Sequence, residues 1–135
     1  MRAEAILETC LYADDLDAAE AFYGRVFGLT LVARSPGQHV FLRCGPAMLL
    51  IFNPAFSSLQ APGSPIPRHG AIGPGHVCFR ADSAAEIDRW QAHFRALGLA
   101  IEHEHHWPDG ARSLYLRDPA GNSVEVGEAR IWGLG

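Results

Sequence analysis

The chain has 135 residues, of which 48% are hydrophobic and 19% charged, and a net charge of −4. That length supports one domain with a real core, the composition excludes a disordered chain, and an acidic balance without any Lys/Arg cluster excludes a nucleic-acid footprint. There is no long apolar run, the N-terminal MRAEAILETC lacks the layout of a signal peptide, and Cys10, Cys44 and Cys78 are too scattered for a disulfide framework, so a soluble, cytoplasmic protein with no membrane or nucleic-acid partner is expected.

The first strand is read from Glu8-Thr9-Cys10-Leu11-Tyr12-Ala13-Asp14. It is followed by a helix whose apolar residues, Leu16, Ala19, Tyr23 and Val26 or Phe27, recur at helical spacing. Phe27-Gly28-Leu29 ends that helix, with the glycine as its left-handed cap. Three short strands come next, at Thr30–Arg34, His39–Cys44 and Ala47–Asn53, separated by Pro36-Gly37 and Gly45-Pro46. A Pro-, Gly- and Ser-rich stretch, residues 54–73, reads as a linker. The pattern then restarts: His76-Val77-Cys78-Phe79-Arg80-Ala81-Asp82 lies over the first strand at a constant offset, with Cys, Ala and Asp identical. Ser83 and Glu86 form a capping box, and Ile87, Trp90, Phe94 and Leu97 mark the second helix. Leu97-Gly98-Leu99 stops it as Phe27-Gly28-Leu29 stops the first, and strands at Ala100–His105, Arg112–Arg117 and Ser123–Glu128 follow.

Each half is therefore β-α-β-β-β, and the repeat points to duplication. The expected fold is α+β, a single domain over 1–135 built of two tandem modules, about 4–53 and 74–128. Their curled mixed sheets are expected to surround a concave cavity. Strand alternation puts Glu8 with Cys10 and Tyr12, His76 with Cys78 and Arg80, and Glu125 with Ser123 and Gly127, each on the mixed face of its strand. Aligning Gly45-Pro46-Ala47-Met48-Leu49 on Gly121-Asn122-Ser123-Val124-Glu125 makes Leu49 the counterpart of Glu125, as Glu8 is the counterpart of His76. A pseudo-twofold axis would bring these four positions together.

The paired modules, Gly75-His76-Val77-x-Phe79 and Asp118-Pro119-x-Gly121-Asn122-x-x-Glu125 resemble the vicinal-oxygen-chelate superfamily. That superfamily includes glyoxalase-type lyases, epimerases, extradiol dioxygenases and bleomycin-resistance and other antibiotic-resistance proteins. The resemblance implies metal ligands on the first and last strand of each module, which here are Glu8, Leu49, His76 and Glu125. Glu8 replaces the usual histidine, and Leu49 cannot ligate. The implied set is thus Glu8, His76 and Glu125, holding Mn(II), Fe(II), Co(II), Ni(II) or Mg(II), with zinc admitted but not selected. The resemblance also implies a homodimer, with modules paired within a chain or exchanged between chains.

Each of these residues also has a plainer role open to it. Glu8 can be a surface acid or a structural partner of Arg80 or Arg112, His76 a satisfied strand residue, and Tyr115 a core residue with its hydroxyl at the rim. The run Glu102-His103-Glu104-His105-His106 reads as a solvated strand end, with a zinc site as the sharper alternative. His106, Leu114-Tyr115 and the Asp118–Glu125 motif resemble the extradiol signature, in which the histidine and tyrosine act as acid/base and orienting groups; Glu104 does not fit it. Three functions follow. The first is a metal-dependent lyase or isomerase acting on a small vicinally oxygenated substrate through an enolate, with Glu125, Tyr115 and His106 as catalytic candidates. The second is an Fe(II) ring-cleaving dioxygenase, and the third a metal-free small-molecule or antibiotic-binding protein using Tyr12, Phe41, Trp107 and Tyr115.

Overall fold

The computed structural model describes residues 1–59 and 64–135; the middle of the expected linker, 60–63, lies outside them. The chain forms two compact units, Met1–Gly75 and His76–Gly135. In the first, β1 (Glu8–Tyr12), α1 (Leu16–Phe27), β2 (Thr30–Ser35), β3 (His39–Cys44) and β4 (Ala47–Phe52) precede a single helical turn, α2 (Pro54–Ser57). In the second, β5 (His76–Ala81), α3 (Ala84–Ala96), β6 (His103–His106), β7 (Arg112–Arg117) and β8 (Ser123–Glu128) precede a 3₁₀ turn, Ala129–Trp132. Each unit holds one mixed four-stranded sheet, ordered β1-β4-β3-β2 and β5-β8-β7-β6. In both, the strand before the helix pairs in parallel with the last strand, and the other pairings are antiparallel. The expected pair of β-α-β-β-β modules is the observed fold.

Local chemistry explains the elements. Asp15 caps α1 by accepting from the Ala18 amide, and Ser83 caps α3 by accepting from that of Glu86. Glu86 reaches back one residue beyond the expected box, to the Asp82 amide at 2.8 Å. The shared helix stop is confirmed: Gly28 and Gly98 have φ of 67° and 69°, a conformation that costs glycine nothing.

One face of each sheet is closed by its own helix. In the first unit Leu11, Val40, Leu42, Leu49 and Ile51 are buried with Leu16, Ala19, Tyr23 and Val26. In the second, Leu114, Leu116, Val124 and Val126 are buried with Ile87 and Phe94. The expected strand at Ala100–His105 starts later, at His103. Before it the chain is tied to β7 by the Glu102 amide, which donates to the Tyr115 carbonyl at 2.8 Å.

Candidate functional site

The sheet face turned away from α3 carries a set of polar residues in register with one another. Register sets Cys78 opposite Glu125, Glu125 opposite Tyr115, and Tyr115 opposite His103, so one straight row crosses all four strands. Beside it run His76, Ser123 and Arg117 on one flank, and Arg80, Gly127, Ser113 and His105 on the other.

The turn before β8 fixes where this row falls. The Asp118 carboxylate accepts from the amides of Ala120 and Asn122 and from the Asn122 side chain, at 3.0, 2.8 and 2.9 Å. Asp118 and Asn122 are both buried, so the Asp-Pro-x-Gly-Asn motif is the structural hinge that delivers Glu125 to the sheet.

Glu125 is 5% exposed, and its Oε2 lies 3.2 Å from His76 Nε2. His76 Nδ1 lies 3.0 Å from the Ser123 carbonyl, which only accepts, so Nδ1 carries the hydrogen. In the neutral tautomer the Nε2 lone pair faces a carboxylate. Two acceptors at that distance need a positive charge between or upon them, either a proton on the ring or a bound cation. Both features of a metal ligand pair are present. The outer nitrogen is fixed by a carbonyl, as ligating histidines are. The separation also falls within the about 3.0–3.4 Å spanned by two ligands about 2.1 Å from one ion at 90–109°.

Glu125 Oε1 is buried without a hydrogen-bond partner, and such an atom is costly unless something supplies a positive charge. The Cys78 thiol and the Tyr115 hydroxyl border the same carboxylate. Burial first, and then the Glu125 charge, pushes each of them up to about 12, so both remain protonated near neutral pH. Glycine at 127 makes room for this arrangement. A Cβ there would stand 2.9 Å from Glu125 Oε1, 3.0 Å from Ser113 Oγ and 3.2 Å from Cys78 Sγ. Sequence reading had no signal for Gly127 beyond a glycine inside a strand, which marks close approach.

Of the expected site residues, His76, Glu125 and Tyr115 come together on this face. His106 does not: it stands with Glu104, Nε2 3.5 Å from Oε1, and Glu104 in turn binds Arg112 and Gln91 of α3. It therefore lies on the helix face, opposite Glu125. Glu8 begins β1 in the first unit, exposed, beside Met48. Among the described residues, no three His, Cys, Asp or Glu side chains form a metal-ligating group.

The expectation for Leu49 is corrected. β1 sets Glu8 opposite Met48 and Cys10 opposite Leu50, just as β5 sets His76 opposite Ser123 and Cys78 opposite Glu125. The counterpart of Glu125 is thus Leu50, while Leu49 is buried against the helix. The alignment on Gly45 and Gly121 slipped because β3 and β4 are joined through Gly45-Pro46 alone, whereas residues 118–122 join β7 and β8. A one-residue slip in a strand exchanges its faces.

The family model of the Glyoxalase/Bleomycin resistance protein/Dioxygenase superfamily matches residues 5–126. The chain belongs to that superfamily. Among solved structures, a lactoylglutathione lyase from Agrobacterium tumefaciens is 59% identical, with a TM-score of 0.97 over 98% of this chain and 99% of that one. A glyoxalase/bleomycin resistance protein/dioxygenase from Nocardioides is 25% identical, with a TM-score of 0.73 over 95% and 85%. An integron cassette protein from the mobile metagenome of V. cholerae, 23% identical, shares the fold, with a TM-score of 0.70 over 95% and 97%. No curated protein matches the chain. Within this superfamily chain, no described helix is long and apolar enough to cross a membrane.

Proposed function

We propose that this chain is a metal-dependent, glyoxalase-type lyase or isomerase acting on a small substrate with neighbouring oxygens. The observation that carries the reading is the His76–Glu125 pair, two acceptors 3.2 Å apart with an unpartnered, buried carboxylate oxygen. The 59% identity to a lyase of this superfamily supports the reaction class. His76 and Glu125 would hold a divalent ion. Glu8 is the proposed third ligand, contributed within a homodimer. Two carboxylates and one imidazole form a mostly hard donor set, suited to Mn(II), Fe(II), Co(II), Ni(II) or Mg(II).

When bound, the ion supplies Lewis-acid stabilisation of negative charge on substrate oxygens. The residues of the chain do the rest. Hydrogen bonding to Ser123 fixes the His76 tautomer and orientation. The Glu125 carboxylate is the proposed base for a proton on the carbon beside the carbonyl. Tyr115 stays protonated beside Glu125 and orients it. His106 stands on the helix face with Glu104, which counts against the ring-cleaving alternative.

The test is calorimetric titration with Mn(II) and Co(II), paired with an isomerisation assay. Glu125→Gln and His76→Ala are expected to weaken metal binding by about 100-fold or more and to abolish activity with the fold intact. Glu8→Ala is expected to weaken metal binding as well. Equal, negligible affinity in wild type and all three variants would sink the proposal and favour a metal-free binding protein.

A further inference from the structure

The second sheet carries a line of rings that leads away from the ion-holding pair. It begins at His76, whose ring lies 6.4 Å from that of Tyr115 and 23° from parallel to it. It continues from Tyr115 to His103 at 6.2 Å, from His103 to His105 at 5.7 Å, and from His105 to Trp107 at 4.5 Å. All four steps fall within the range of direct aromatic contact. Register sets His103 opposite Tyr115 and His105 opposite Ser113, so these rings share the face of Glu125.

The far end of the line is held in place. Trp107 Nε1 donates to Ser113 Oγ at 2.9 Å, and its amide donates to the Ala111 carbonyl at 2.8 Å. Tyr115, His105 and Trp107 are half-buried and His103 is exposed, so ring surface remains open along the whole line. β6 is an edge strand of its sheet. Such edges commonly carry lysine or proline as protection, and this one carries imidazoles on the site face instead.

We propose that Tyr115, His103, His105 and Trp107 form a stacking platform that selects substrates bearing a planar aryl group next to their vicinal oxygens. The inference rests on reading His76–Glu125 as the ion-holding end. With the oxygens anchored there, the adjoining carbon substituent is directed along the line of rings. A flat substituent stacks on individual rings of a series that already touch one another, tilted by 36°, 41° and 76° from ring to ring and anchored at Trp107 through Ser113, so less is lost in ordering them. A methyl group in the same position would meet only the first ring. The polar edges of the imidazoles and the indole set this face apart from a purely apolar docking surface.

Mandelate and lactate are the probes, since both carry a carboxylate and a neighbouring hydroxyl and differ only in phenyl against methyl. Calorimetry on the full chain with Co(II) is expected to show mandelate binding at least about tenfold more tightly than lactate. His103→Ala/His105→Ala should remove most of that preference and leave lactate affinity unchanged, whereas His103→Phe/His105→Phe should retain it. Equal affinities in the wild type, or no mandelate binding, would overturn the inference. So would a double alanine variant that changes oligomeric state while the preference persists, because the rings would then serve a contact between copies. If Co(II) does not bind yet mandelate is still preferred, the platform stands and the metal reading falls.

Discussion

The two units share one strand grammar and differ in what it displays away from their helices. In the first unit the row across the sheet is Cys10, Leu50, Phe41 and Ala33; in the second it is Cys78, Glu125, Tyr115 and His103. The neighbouring position on the last strand is Phe52 in one and Gly127 in the other. Phe52 joins a packed aromatic group: its ring lies 5.4 Å from Phe41 and 4.4 Å from His69. His39 stacks on Phe41 at 4.1 Å, and the Tyr12 hydroxyl and His69 Nδ1 are hydrogen-bonded at 2.7 Å. On the face turned from the helix, a carboxylate is buried where a histidine faces it, two protonated hydroxyl or thiol groups flank it and one side chain is missing. Where those conditions are absent, the same place is filled with hydrocarbon and rings.

The largest expected effect tests which of two adjacent leucines corresponds to Glu125. Leu49 is 2% exposed and packed against the helix, so Leu49→Glu forces an unpaired charge into the core and should cost about 3–5 kcal/mol. Leu50 is also buried, at 9% exposed, but Leu50→Glu puts the carboxylate beside Cys10 and Phe41 on the other face and should cost less, about 2–3 kcal/mol. Urea denaturation of both variants checks this. Equal losses would mean that the two faces of β4 are not chemically distinct.

A smaller effect is expected from Gly127→Ala. The added methyl displaces Glu125 Oε1, the end of a flexible side chain, so the fold should lose no more than about 1 kcal/mol. Affinity for Mn(II) or Co(II) should fall by about 10- to 100-fold, because the carboxylate is turned from His76. Calorimetry alongside thermal melting separates the two quantities. Unchanged metal affinity would show that the space over Gly127 has no part in orienting Glu125.

The sequence made the architecture legible because its signals are local. Gly28 and Gly98 end the helices, and alternation assigns faces within each strand. The relation of His76 to Glu125 was equally readable, since both lie on well-patterned strands with the Asp118 turn fixing the second. What stayed hidden depended on register between strands. Leu50 was missed because a turn of different length looks the same when aligned on its glycine. His106 was drawn toward the site by a motif, while Arg112 and Glu104 hold that end of β6 on the helix face. Gly127 was missed because sequence does not show what a side chain there would strike.

The smallest predicted effect concerns the helix faces. That of the first sheet is built from aliphatic residues, Leu11, Val40, Leu42, Leu49 and Ile51. That of the second carries charge at its edge: Arg112 binds Glu104 at 2.7 Å and Asp88 at 2.6 Å, while Glu128 accepts from the Arg112 amide and from Arg130. The Arg112 hydrogen bond holds the Glu104 carboxyl below its usual 4.5, and the Arg130 hydrogen bond does the same for Glu128. A lowered folded-state value means that these groups stabilise the fold fully above the unfolded value. The contribution is lost as the pH falls through the lower, folded-state value. Melting temperature should therefore decline as the solution is acidified below about pH 5, with amide exchange rising first in the second unit. Arg112→Leu should cost about 1 kcal/mol at neutral pH and flatten the acid limb, since Glu104 would no longer be held in its ionised form. Parallel melting curves for wild type and variant from pH 7 to about pH 3 would show that Arg112 does not carry this acid sensitivity.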